Sequence, residues 1–91
     1  MDRVNEYYVI RTLNGMSYKL YNIVKLMTKQ GYADKDGYIS LSYAKIRNKI
    51  GINNNIVRVI DELESHPEII EVVRGDTKTP NKFRITNDLL L

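Results

Sequence analysis

Cysteine is absent from the 91-residue chain, which excludes a disulfide framework and any thiolate metal site. No apolar run approaches the roughly 20 residues that a membrane-crossing helix needs. The opening Met1-Asp2-Arg3 has no apolar signal core. A soluble, cytoplasmic protein with no membrane association is therefore expected. His66 is the only histidine, and Ser65 beside it in sequence does not amount to a nucleophile–base geometry. No glycine-rich phosphate cradle is present. Asp34-x-Asp36-Gly37 fails as a calcium loop: with Gly37 as the loop glycine, the first and last ligand positions fall on Tyr32 and Tyr43. It reads as a turn. No enzyme, metal or cofactor is expected.

Acid is missing over one long stretch. From Gly37 to Ile60 there is no Asp or Glu, while Lys45, Arg47, Lys49 and Arg58 are all basic. The acids Asp61, Glu62, Glu64, Glu68 and Glu71 crowd just beyond it. The net charge is only +3, so the bias towards polyanions is local more than global. A hydrophobic fraction of 43% suits one small folded domain, covering 1–91.

Local patterns place the elements. Tyr7-Tyr8-Val9-Ile10-Arg11 is β-branched and aromatic and predicts a short strand or extended arm. Ser17 can cap a helix to about Gln30, with Gly31 as its stop. Ala33 to Gly37 is a turn, and Tyr38-Ile39-Ser40-Leu41 a brief strand. Ser42 is a good N-cap for the next helix, with Leu41 and Ile46 spaced as a hydrophobic staple. Tyr43, Ile46 and Ile50 supply its buried stripe, and Gly51 ends it. A third helix starts at about Asn53 and runs towards His66-Pro67, with Ile52, Ile56, Val59, Ile60 and Leu63 at helical spacing. Ile69 to Arg74 and Lys82 to Thr86 read as a hairpin whose long polar tip is Gly75 to Asn81. The seven tyrosines favour core packing, Tyr18, Tyr21 and Tyr43 having core-like spacing. Asn87 to Leu91 carries no decisive pattern.

Two short helices joined through a glycine turn form a helix-turn-helix unit, here about 42–66, whose second helix can enter a major groove. With Ile56, Ile60 and Leu63 inward, Asn54 and Arg58 lie opposite, flanked by Asn55 and Val57. Arginine can grip guanine and asparagine adenine, each through two hydrogen bonds. Asparagine also caps helices, so Asn53 or Asn54 serves equally well as a cap, and Arg58 could simply pair with Glu62 on a solvated face.

The segments "DKDGYISLSYAKIRNKIGINNNIVRVIDELE" and "IIEVVRGDTKTPNKFRI" resemble the winged helix-turn-helix domains of phage and plasmid proteins. Replication-initiator N-terminal domains of Gram-positive mobile elements are the nearest likeness. The resemblance implies an α+β fold, a three-helix core with a C-terminal β-hairpin wing at about 69–86. It implies sequence-specific binding of double-stranded DNA at an origin or operator, serving replication, transfer or transcription control. Asn54, Asn55 and Arg58 match recognition-helix positions, and Lys78, Asn81 and Lys82 match the wing. Asn53, Tyr43, Lys45, Lys49 and Arg74 complete the expected contact set. A homodimer joined through Tyr7-Tyr8 and Leu89-Leu91 is expected. The competing expectation is a protein-interaction module on the same fold, to which exposed Val57 and the terminal leucines would contribute.

Overall fold

The computed structural model describes residues 3–51, 55–76 and 78–91. Among them run α1 (Glu6–Thr12), α2 (Gly15–Lys29), β1 (Ile39–Leu41), α3 (Tyr43–Ile50), α4 (Ile56–Glu64), β2 (Ile70–Val73) and β3 (Asn81–Ile85), then a 3₁₀ turn at Asp88–Leu90. The class is α+β: four helices against a three-stranded antiparallel sheet.

The first segment corrects the expected strand at Tyr7 to Arg11. It is a helix because Asn5 caps it, its side-chain oxygen accepting the Tyr8 N–H at 3.0 Å. Val9 and Leu13, four residues apart, then bury on one face. Tertiary bonds hold the helix down: the Tyr8 hydroxyl donates to Glu68 at 2.6 Å, and Glu6 accepts from Tyr21 and Lys25. Intrinsic β preference loses to a cap plus packing.

Helix α2 begins earlier than Ser17. Asn14 occupies the cap position, and Ser17 is buried in the first turn, donating its hydroxyl to the Asn14 carbonyl at 2.6 Å. The end agrees with expectation, Gly31 taking φ +88° just past Lys29 and Gln30. Leu20, Tyr21 and Val24 face the core. Burial pushes the Tyr21 phenol well above its ordinary range, and the neighbouring Glu6 carboxylate adds to the effect.

Helix α3 is built as its sequence implies. Ser42 Oγ accepts the Lys45 N–H at 3.2 Å, and Leu41 and Ile46 are both buried as a staple. Gly51 sits in the left-handed region at φ 64°, and its N–H returns to the Arg47 carbonyl at 2.8 Å. Helix α4 starts at Ile56, and its cap is Asn55, whose Oδ1 accepts the Arg58 N–H at 3.2 Å. Neither Asn53 nor Asn54 is that cap; both, with Ile52, lie outside the described residues. Ile56, Ile60 and Leu63 are buried and Val59 packs against them.

Strand β3 lies between β1 and β2, pairing antiparallel with both. Phe83 stands opposite Ile39 on one side and Val72 on the other. Asn81, Phe83 and Ile85 point inward, while Lys82 and Arg84 take the outer face. Outside, Arg84 pairs with Glu71 and lies 5.1 Å from the Tyr38 ring centre. The 3₁₀ turn, capped by Asn87, inserts Leu90 into the core. Among the described residues, no helix is long and apolar enough to cross a membrane.

Candidate nucleic-acid interface

The folded chain sorts its charges. Arg74 is engaged by Asp61 and Glu64, Arg84 by Glu71, and Lys25 by Glu6. The Glu68 carboxylate accepts the Tyr8 hydroxyl and lies 3.5 Å from His66. The Asp76 carboxylate collects the backbone N–H groups of Lys78 and Thr79, both at 2.8 Å, which holds it below the usual carboxylate range. Lys45, Arg47, Lys49, Arg58 and Lys78 are exposed, and none has a carboxylate partner among the described residues. These five lie on α3, the head of α4 and the hairpin loop. Most acids are spent on structure, and the acid-free segment with the loop beside it carries five such cations; Arg11, Lys19, Lys29 and Lys35, elsewhere on the chain, are also exposed without a carboxylate partner among the described residues.

Two of the cations share a cleft. It opens between the head of α3 and the loop joining β2 to β3, encloses about 420 Å³ and is lined by Lys45, Lys78, Ser42, Tyr43, Thr79 and Asn81 among others. The sheet register explains the meeting: Leu41 pairs with Asn81, so the residue before the α3 cap lies beside the residue closing the loop. Two ammonium groups beside hydroxyls suit a phosphodiester, and the Asp76 carboxylate that also lines the cleft is occupied by the Lys78 and Thr79 N–H groups. Lys45 also lines a second hollow of about 380 Å³, with Lys49, Asn48 and Tyr32. Lys49 follows Lys45 by one helical turn, so the two present one cationic flank.

The head of α4 forms a separate groove. Asn55, Arg58, Val59 and Glu62 line it from α4 and its cap, and Asn14, Met16 and Ser17 from the head of α2. The Asn55 side-chain oxygen is committed to capping, which leaves its amide nitrogen as the donor end. Arg58 does not pair with Glu62; the Glu62 carboxylate accepts the Asn14 N–H at 3.3 Å. Val57 is 48% exposed on the other flank of the helix.

Three expected contacts change character. Asn81 is not at an exposed tip: it is the first residue of β3 and is buried, its side chain bonded to Leu41 and Gly75. Arg74 is not a free cation, since Glu64 and then Asp61 hold its guanidinium and raise its proton affinity. Lys82 is half-buried on the outer sheet face, 6.0 Å from the Tyr38 ring centre. Ser42 and Thr79 join the cleft without having been expected there. Ser42 carried only a capping signal, and Thr79 carried none.

Among the described residues no three His, Cys, Asp or Glu side chains group to hold a metal ion. No protein family, curated protein or solved structure matches the chain.

Proposed function

We propose that the chain is a winged helix-turn-helix domain that binds duplex DNA sequence-specifically and marks an origin or operator of a phage or plasmid. The order α2, β1, α3, α4, β2, β3 suits that reading, with α3–α4 as the helix-turn-helix and β2–β3 as the wing. The carrying observation is that α3, the head of α4 and the hairpin loop together present five exposed cations without carboxylate partners among the described residues, Lys45, Arg47, Lys49, Arg58 and Lys78, two of them on one cleft. On this reading Lys45 and Lys78 grip backbone from both sides of their cleft, and Arg58 at the head of α4 reaches base edges.

A salt titration of duplex binding tests it. Neutralising about four phosphates gives a log–log slope of roughly −3.6, so affinity should fall about a hundredfold or more between 50 and 200 mM salt. A slope near zero would reject nucleic acid as the partner.

The same reading includes a homodimer. Tyr7 (75% exposed) and Ile10 (53%) on α1, with Leu89 and Leu91, are exposed large apolar side chains. The Tyr8–Glu68 and Thr86–Pro67 bonds bring α1 and the C-terminal turn to the same loop after α4. Arg11 and Asp88, both exposed, lie beside those apolar groups in sequence, so a two-fold contact can pair opposite charges around an apolar centre. Two subunits on half-sites about one helical turn apart are expected. Light scattering that gave one subunit per duplex at saturation would reject the dimer.

A further inference from the structure

The buried amide of Asn81 has a use that neither packing nor direct contact with a ligand explains. We infer that Asn81 is a positioning residue that fixes the hairpin loop against the head of α3, setting where Lys78 stands relative to Lys45. The relevance to binding rests on the duplex-DNA reading above; the positioning itself does not.

Asn81 is 1% exposed, one of two buried polar side chains among the described residues. Its Nδ2 donates to the Leu41 carbonyl at 3.3 Å, and its Oδ1 accepts the Gly75 N–H at 3.0 Å. One planar group therefore ties three pieces of chain: the arm entering the loop, the strand leaving it, and the end of β1. Leu41 is followed at once by Ser42, whose hydroxyl caps α3. The amide thus couples the loop to the element that carries Lys45.

The chemistry selects asparagine. The position needs a donor and an acceptor on one short, flat side chain. Aspartate has the shape but only acceptors, and would turn a carboxylate oxygen towards the Leu41 carbonyl. Leucine fills the volume but can neither accept the Gly75 N–H nor donate to the Leu41 carbonyl.

The loop is prepared to transmit this anchorage. The Asp76 N–H donates to the Thr79 carbonyl at 2.9 Å, and the Asp76 carboxylate takes the N–H groups of Lys78 and Thr79. At Gly75 a Cβ would run into the Thr79 carbonyl oxygen and come within 2.6 Å of the Pro80 carbonyl. The crossing of the two arms is closed by contact as well as by hydrogen bonds. A loop ordered beforehand loses less entropy when its cation meets a phosphate.

The absence of cysteine permits a direct test, because Lys45→Cys and Lys78→Cys can be spin-labelled without background. Pulsed electron resonance should give a narrow distance distribution between the labels in the Asn81 protein. With Asn81→Leu, and with Asn81→Asp should the leucine variant not fold, the distribution should broaden while the thermal transition stays cooperative. An equally narrow distribution in the folded variant overturns the positioning role, whether or not DNA binds. In unlabelled protein, the same Asn81 substitutions should weaken duplex binding several-fold and flatten the salt slope by about one. Lys78→Ala should then add little on the variant background, though it weakens the parent. Additive losses, or wild-type affinity and slope despite a broadened distribution, overturn the link from Asn81 to binding. If the parent chain shows no salt-dependent duplex binding, the duplex-DNA reading falls, and the label distances still judge Asn81.

Discussion

Phe83→Ala is expected to cost about 3–5 kcal/mol of folding stability. The ring is fully buried on the central strand, between Ile39 of β1 and Val72 of β2. It is the only phenylalanine, so no neighbour of the same shape can swing into the space. The cavity would open where all three strands meet, beside Asn81 and under α2. A chain of this size holds roughly 5–15 kcal/mol in total, so the loss is a large share of it. Urea unfolding followed by circular dichroism should show a much lower midpoint with a similar slope. A cost below about 1 kcal/mol would mean that the sheet can collapse around the missing ring, contrary to a close-packed core.

Much of this core was legible in the sequence because its signals are local. Ser42, Gly51 and Gly31 mark helix ends through their own hydrogen bonds or backbone angle, and each stands where its sequence placed it. The α4 stripe of Ile56, Ile60 and Leu63 is set by spacing alone, and all three are buried. Helix α1 departs from the expected strand for a reason of the same kind. Tyr7, Tyr8, Val9 and Ile10 favour strands by composition, whereas the deciding residue was the Asn5 cap just before them. Position in the sequence outweighed residue type.

The candidate site was less legible because its geometry is made across the chain. Asn81 meets a carbonyl 40 residues away, and Arg74 meets Asp61 and Glu64 at 13 and 10 residues' distance. Before folding, an asparagine among turn formers and an arginine at a strand end both look like surface groups. Once β3 docks on β1, the asparagine turns inward to the end of β1. Once β2 docks beside α4, the arginine finds two carboxylates. Lys45, Lys49 and Lys78 keep their expected exposure, none having a carboxylate partner among the described residues.

Arg58→Ala should weaken cognate-duplex binding by about 1–3 kcal/mol, roughly five- to 150-fold, and relax preference at one base pair. Arg58 is exposed in the first turn of α4 and has no carboxylate partner among the described residues. Its backbone N–H is already used by the Asn55 cap, and buried Ile56 and Ile60 hold the turn in place. The side chain can therefore be removed without loosening the helix, and the melting temperature should change little, alanine being the better helix former. Arg58→Lys separates the two ways in which a cation can act. If the guanidinium grips guanine through two hydrogen bonds, lysine should recover the salt slope but little of the base preference. If it only neutralises a phosphate, lysine should recover nearly all the affinity, and alanine should weaken every duplex alike with a slope lower by about one. Competition among duplexes that vary one base pair at a time reads both quantities. Unchanged affinity and selectivity in Arg58→Ala would remove the head of α4 from recognition and leave the Lys45–Lys78 cleft as the contact.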